Sequence, residues 1–291
     1  MAANLGPVID IDGYLLRLGI TEREPPSAEA LWRLHTAHIT HVPYDSLDIQ
    51  LGRPGPLDPA ASAGRVVRDG RSGYCYHLNG AFSELLKGLG YRVTRHKGGS
   101  SMSPGEPPNV DGGHLALTVT GLGDDGWMVD AGLGDGLFTP VPLVEGTYRQ
   151  GPFSFALRHS AVAPGGWQFV HDEQGSFHAL DFGPEPVEMD VFAEEHEHLS
   201  RSPESGFVRT CTVQRRDACS IDLLRSLTLT RFDASGKSKT LLDKEKDWRA
   251  AIVDVFGVEP HAYPDEDWTK LWKLAAAQHE RYLARKAGGT R

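Results

Sequence analysis

Residues 111–134, "DGGHLALTVTGLGDDGWMVDAGLG", read as two short strands joined by a tight turn. Apolar side chains alternate with smaller or polar ones along residues 114–120, and residues 126–131 form a second strand-like run. The intervening "GLGDD" is built from Gly and Asp, which tight turns favour. The stretch therefore predicts an antiparallel hairpin.

The chain on either side of this hairpin divides into three patterns. Short runs of strand-forming residues, separated by Gly, Pro and Asp, continue from about residue 91 to 195 and indicate an antiparallel sheet or small barrel. Before them, apolar residues follow helical spacing, with Ser27 as the N-cap of one helix and a second helix beginning near Ser72. After residue 200, two strand-like runs precede two helical ones. The sequence therefore predicts an α+β fold.

Composition and charge exclude several classes of function. Three cysteines without framework spacing argue against a disulfide scaffold and favour a reducing cytoplasm. The net charge of −9 argues against a general nucleic-acid binder, and no apolar run approaches the ~18 residues of a membrane span. Residues 1–20 lack the basic start and apolar core of a signal peptide. We therefore expect a cytoplasmic protein with neither nucleic-acid nor membrane partners.

One cysteine lies where helix geometry favours reactivity. In residues 71–79, "RSGYCYHLN", an N-cap at Ser72 would place Cys75 in the first turn of a helix. Free backbone N–H groups and the positive end of the helix dipole there stabilise a thiolate. A buried, inert thiol is the alternative interpretation of this segment alone.

The hairpin supplies a base for that thiol. Either of two strand registers places His114 and Asp130 on one face of the sheet, directly opposite or one diagonal step apart. A carboxylate after Trp-Met-Val on a strand is costly unless it is paired. We expect Asp130 to accept the Nδ1 proton of His114 and to leave Nε2 for the thiol of Cys75. The pattern indicates a Cys-His-Asp nucleophilic site.

Several segments together resemble the arylamine N-acetyltransferase family. "RSGYCYHLN" is similar to that family's Arg-Gly-Gly-x-Cys-x-Glu/Gln-x-Asn motif, and "WMVDAGLG" to its Val-Asp-x-Gly-Phe-Gly strand. "GGHLALTV" matches its histidine strand, and "HVPYDSLDIQLGRP" resembles its Val-Pro-Phe-Glu-Asn-Leu segment. The resemblance covers residues from about 10 to 235. It implies a papain- or transglutaminase-like core made of a helical bundle (1–90), a β-barrel (91–198) and an α/β lid (199–291).

The resemblance also implies an activity. Cys75, His114 and Asp130 would form the catalytic triad of a xenobiotic-metabolising acyltransferase. Acetyl-CoA would be the acyl donor and co-substrate, an arylamine or hydrazine the acceptor, and no metal is expected. The reaction would be ping-pong, through an acetylated cysteine. A homo-oligomer remains open.

Further site residues follow from the same resemblance. Tyr44, Leu133 and Phe207 would line the acceptor pocket, and Gly113, Gly132 and Gly134 would form a backbone wall beside CoA. Arg71, Asp45 and His77 would be polar residues near the nucleophile. Arg71 would pair with Asp45, which replaces the family's Glu. His77 stands where the family has an acid or amide, and Leu133 where it has an aromatic residue.

Three alternatives remain beside this interpretation. A relative of the same family could close or release a polyketide-type acyl chain taken from a carrier protein. A hydrolase could use the same Cys-His-Asp triad. A non-catalytic binding module would leave the thiol unreactive.

Overall fold

The first third of the chain is helical. The structure is a computed structural model that describes residues 9–289. Helix α4 continues into a π-helical turn at Arg65–Asp69. The helices and the short strand of this region are α1 (Ile11–Arg17), α2 (Ala28–His41), β1 (Tyr44–Asp45), α3 (Leu47–Gln50), α4 (Pro59–Gly64) and α5 (Cys75–Gly88).

The two main helices begin in different ways. The Ser27 hydroxyl accepts a hydrogen bond from the N–H of Ala30 at 3.0 Å, which confirms the predicted N-cap of α2. The predicted N-cap at Ser72 is wrong, because its hydroxyl donates to the carboxylate of Asp45 instead. Helix α5 begins at Cys75, after Tyr74, which makes no side-chain cap. Cys75 is therefore the first helical residue.

The middle of the chain forms one curled antiparallel sheet of eight strands that nearly closes into a barrel. Its spatial order is β5-β4-β3-β2-β9-β8-β7-β6. The pattern-based prediction missed the short strands β5 and β6. The strands are β2 (Arg92–Ser101), β3 (His114–Thr120), β4 (Trp127–Val129), β5 (Val141–Pro142), β6 (Gly146–Gln150), β7 (Phe153–His159), β8 (Trp167–Val170) and β9 (Ala179–Pro186).

Alternation along β3 gives this sheet two buried faces. Leu115, Leu117 and Val119 pack with the helices of the first third. Ala116 on the same strand faces the barrel interior, together with Met128 of β4. Because both faces of β3 are buried, the helix that carries Cys75 lies directly against the strand that begins with His114.

The last third combines helices with a second antiparallel sheet. Residues 206–241 hold one short helix and four strands, so the expectation of two strands there was wrong. After a 3₁₀ turn at Met189–Phe192, the elements are α6 (Ala193–Arg201), α7 (Gly206–Arg209), β10 (Thr212–Arg216), β11 (Ile221–Arg225), β12 (Thr228–Asp233), β13 (Gly236–Leu241), α8 (Glu245–Ala250), a π-helical turn (Ala251–Val255) and α9 (Asp265–Ala287).

The second sheet joins the helical first third of the chain to the last third. Its order is β1-β10-β11-β12-β13, so the strand Tyr44–Asp45 of the helical region forms its edge. Helices α8 and α9 cover it with a core that includes Trp248 and Trp268. The α+β class is confirmed. Among the helices of residues 9–289, none has the length and apolar character that a bilayer crossing requires.

Candidate active site

The cysteine lies where helix α5 meets the barrel. Cys75 is buried, and its Sγ is 3.9 Å from the carbonyl oxygen of Gly113. A Cβ at Gly132 would lie 2.8 Å from the Cα of Cys75, so only glycine permits this approach. The loop after β4 and the start of α5 are therefore in direct backbone contact.

The structure brings His114 and Asp130 together. Leu117 pairs with Val129, which is the diagonal of the two predicted registers. The Nε2 of His114 is 2.8 Å from Oδ2 of Asp130. The expectation that Nδ1 would bind the carboxylate was wrong. A diagonal partner is farther away than a directly opposite one, so the distal ring nitrogen reaches it. Nδ1 is left on the side of the thiol.

The surroundings of His114 favour its charged form. Burial lowers the pKa of His114, but the charge and hydrogen bond of Asp130, together with the neighbouring Cys75, outweigh burial and raise the pKa to about 10. The ring is therefore an imidazolium at neutral pH.

Two residues that sequence reasoning missed hold Asp130 in place. Asn79 donates from Nδ2 to Oδ1 of Asp130 at 2.7 Å and accepts the N–H of Ala131 at 2.9 Å. From helix α2, Nε2 of His35 accepts the N–H of Asp130 at 3.2 Å. Asn79 follows Cys75 by four residues, and this helical spacing was an available signal. His35 had no such signal, because it lies 95 residues from its partner.

His35 acts here as a neutral side chain. Burial lowers the pKa of His35 to about 4, against weaker effects from Phe138 and Asp130. With Nε2 accepting from Asp130, Nδ1 carries the proton and donates to the carbonyl oxygen of Phe138 at 3.2 Å. The ring therefore links α2 to the backbone of Asp130 and to that of Phe138, eight residues later.

A cavity of about 570 Å³ opens beside the thiol. Cys75 and His114 line it. Five of the six residues predicted for the pocket and the backbone wall do so as well, namely Tyr44, Leu133, Phe207, Gly113 and Gly132.

Gly134, the sixth, is not among the lining residues. Its φ is +70°, and a Cβ there would lie 1.9 Å from Oε1 of Gln214 and 3.2 Å from the ring of Tyr44. Gly134 therefore allows the loop to pass behind the cavity wall instead of forming the wall.

The predicted pair of Arg71 with Asp45 does not form. Arg71 Nη1 is 3.6 Å from Oδ1 of Asp48, and its Nε donates to the carbonyl oxygen of Ala262 at 2.9 Å. Asp45 instead accepts from the hydroxyl of Ser72 and from the N–H of Leu47. Burial raises the pKa of Asp45 to about 6 despite these bonds. The Asp45 carboxylate is therefore occupied by Ser72 and Leu47, and Arg71 pairs with Asp48 instead.

His77 fills a buried polar position beside the segment that carries Gly55. Its Nε2 donates to the carbonyl oxygen of Gly55 at 3.0 Å, and its ring packs against those of Tyr74 and His196. Burial, and then the charge of Arg65, lower the pKa of His77 to about 3. Residues two apart on a helix point in different directions, so this neutral ring and the Cys75 thiol do not face each other.

Comparisons with known proteins all match this chain to N-acetyltransferases. The family model described as N-acetyltransferase matches residues 27–262. An arylamine N-acetyltransferase of Mycolicibacterium smegmatis is 29% identical over 265 residues, which cover 86% of this chain and 92% of the relative.

Solved structures give the same result. The arylamine N-acetyltransferase of Nocardia farcinica superposes with a TM-score of 0.79 at 29% identity, covering 91% of this chain and 93% of its own. The Mycobacterium marinum arylamine N-acetyltransferase in complex with CoA gives 0.79 at 25% identity, covering 91% and 99%.

Proposed function

The chain belongs to the arylamine N-acetyltransferase family, and from this premise we propose that it moves an acetyl group from acetyl-CoA through a thioester on Cys75 to an aromatic amine or hydrazine. The family supports acetyl transfer. The observation that carries the cysteine route is one cavity lined by both Cys75 and His114, with Asp130 bonded to the far side of the imidazole.

The first half-reaction acetylates the cysteine. The thiolate of Cys75 attacks the carbonyl carbon of acetyl-CoA, and the C–S bond to CoA breaks as the tetrahedral intermediate collapses. The N–H groups of the first turn of α5 are available to bind the oxyanion. The His114 imidazolium gives its proton to the departing CoA thiolate. Asp130 stays ionised and keeps the ring oriented.

The second half-reaction transfers the acetyl group. Neutral His114 accepts a proton from the amine as its nitrogen attacks the acetyl carbon. The C–S bond to Cys75 breaks, and the thiolate–imidazolium pair is restored. Because CoA leaves before the amine reacts, the kinetics are ping-pong.

The shape of the cavity supports a flat acceptor. The rings of Tyr44 and Phe207 lie 6.3 Å apart between centroids, and Phe207 also packs against Tyr74. Leu133 adds an apolar wall. Such surfaces favour an aromatic amine by stacking and burial.

Mass spectrometry of the intact protein tests this proposal. Incubation with acetyl-CoA alone should add one acetyl group to the wild type and to Cys219→Ser, which lacks the exposed thiol. Cys75→Ala should gain none. Acetylation elsewhere, or none in the wild type, would sink the proposal. Steady release of acetate without an amine would instead favour the hydrolase.

A further inference from the structure

One buried amide on the wall of the active-site cavity has no hydrogen-bond partner in the described part of the chain. Gln214 of β10 is only 5% exposed, and it lines the cavity. The two other buried glutamines of residues 9–289, Gln168 and Gln278, donate from Nε2 to a carboxylate and to another amide, at 2.7 and 2.6 Å. Gln214 therefore differs from both in keeping its amide free for the cavity.

A free amide in a buried wall points to a ligand. Burying an amide without a hydrogen bond is unfavourable, and buried polar groups in proteins almost always have a partner. An apolar side chain of the same size would fill the wall without this cost. The amide of Gln214 is therefore explained best by a polar group that enters the cavity with a substrate.

Strand pairing places Gln214 at a defined distance from the nucleophile. Tyr44 of β1 pairs with Gln214 on one side and forms a parallel bridge with Gly73 on the other. Neighbouring extended segments lie about 4.8 Å apart, so the backbone of Gln214 is about 10 Å from the segment that leads into Cys75. A benzene ring that carries a substituent at each end can span this gap.

The surroundings of the amide fit such a ring. Tyr44, Phe207 and Leu133 line the same cavity and offer apolar surface along its length. Gly134 gives the amide room, because a Cβ there would lie 1.9 Å from Oε1 of Gln214. An amine placed at Cys75 would therefore direct the opposite end of its ring toward Gln214.

We propose that Gln214 selects aromatic acceptors that carry, opposite the amine, an uncharged group able both to donate and to accept hydrogen bonds, such as a primary carboxamide. This inference rests on the proposed function, because the amine must attack an acetyl group on Cys75. A glutamine amide has two N–H donors and one acceptor oxygen, so a carboxamide can donate to Oε1 and accept from Nε2. A methyl group at that position leaves both unpaired, and a carboxylate can only accept.

The test compares two acceptors in single turnovers of enzyme already acetylated on Cys75, so the reaction with acetyl-CoA does not enter. The acceptors are 4-aminobenzamide and 4-methylaniline. In Gln214→Met, which nearly keeps the side-chain volume, the ratio of their second-order rate constants should fall about tenfold from its wild-type value. Because both acceptors react with the same protein sample, a difference in the folded fraction and the intrinsic reactivity of each amine cancel in this comparison.

The matched control lies on the same strand and the same face. Thr212 is two residues before Gln214 and lines the same cavity, but its hydroxyl donates to the carbonyl oxygen of Thr210 at 3.3 Å. Thr212→Val should therefore keep the wild-type ratio. An unchanged ratio in Gln214→Met, or an equal fall in Thr212→Val, would overturn the role of Gln214.

A binding measurement separates this inference from the proposed function. Saturation-transfer NMR on Cys75→Ala should show that Gln214→Met weakens 4-aminobenzamide about tenfold relative to 4-methylaniline. Equal weakening of both ligands would count against Gln214 and leave the acetyl transfer untouched. If acetyl-CoA does not acetylate Cys75, the proposed function fails, while the NMR result still decides whether Gln214 recognises a carboxamide.

Discussion

Two buried histidine–aspartate pairs lie in the same eight-stranded sheet region and differ in their third partner. His114 binds Asp130 at 2.8 Å, and His171 binds Asp135 at 3.3 Å, in both cases through Nε2. His114 has the thiol of Cys75 beside it and lines a cavity.

His171 is enclosed instead. The rings of Phe155, Phe169 and Phe177 surround it at 4.6–5.8 Å between centroids. Asp135 is further bound by Ser176. Both pairs are buried and hydrogen-bonded, so burial and pairing alone do not make a catalytic site. The thiol of Cys75 and the position of the histidine itself on a cavity wall distinguish the first pair from the second.

Removing the carboxylate of the first pair should have the largest effect. In Asp130→Asn, the amide cannot stabilise the imidazolium, so acetylation of Cys75 should slow by about ten-thousandfold, by analogy with the Asp of serine proteases. Rapid-quench mass spectrometry measures this rate. His171→Leu should acetylate at the wild-type rate. Equal losses in both variants would remove the distinction between the pairs.

The first pair should also make stability depend on alkaline pH. Burial lowers the pKa of His114, but Asp130 and Cys75 raise it to about 10, above its ordinary 6.5, so His114 holds a proton in the folded state that it has released in the unfolded chain. This stabilisation is complete below about pH 6.5 and is lost as pH rises through about 10, by at most about 1.4 kcal/mol per pH unit. Urea unfolding across this range measures it. Asp130→Asn should show a flatter dependence, and an identical slope would contradict the assignment.

Breaking the second pair should affect stability alone. In His171→Leu, Asp135 keeps only Ser176 as a partner, and removing one member of a buried pair costs about 3 kcal/mol. Urea midpoints report the loss. The acetylation rate of the folded fraction should stay unchanged, and a slower rate would show that the second pair reaches the chemistry.

The smallest effect should follow from the support behind Asp130. His35→Leu leaves the Asp130 N–H without a partner and the Phe138 carbonyl with only the 3.5 Å contact of the Thr36 hydroxyl, which costs about 1–3 kcal/mol. We expect acetylation to slow about tenfold as the carboxylate shifts. His35→Gln should restore the rate, because its amide can both accept and donate.

A buried histidine one turn along the same helix provides the control. His38 bonds the hydroxyl of Tyr14 and does not touch the triad. His38→Leu should lose similar stability with no change in the rate. If it slows acetylation as much as His35→Leu, His35 has no positioning role.

The sequence predicted the parts of the site that local periodicity determines. The two-residue repeat of strands places His114 and Asp130 on one face in either register, and the helix start places Cys75 against them. Which ring nitrogen meets the carboxylate depends on the register itself. The stretch 114–131 admits both registers, so the wrong nitrogen was chosen.

Long-range partners were beyond the local patterns. The Ser72 hydroxyl was predicted to cap a helix, but it donates a hydrogen bond to the carboxylate of Asp45, 27 residues earlier in the chain. Strand β13, "GKSKTL", is exposed at every position, so no apolar alternation indicates it. Strand β1 has two residues, and its ladder partner β10 lies about 170 residues later in the chain.

The pairing of β1 with β10 sets an order of events during synthesis. The backbone of Ser46 bonds to that of Thr212, 166 residues later, and the neighbouring Tyr44 forms part of the cavity wall. A ribosome-bound chain can build its helices early, but it cannot finish this wall until β10 has emerged. Such distant closure is slow compared with local helix formation. The cavity beside Cys75 is therefore completed late in synthesis, well after the helix that carries this cysteine has emerged.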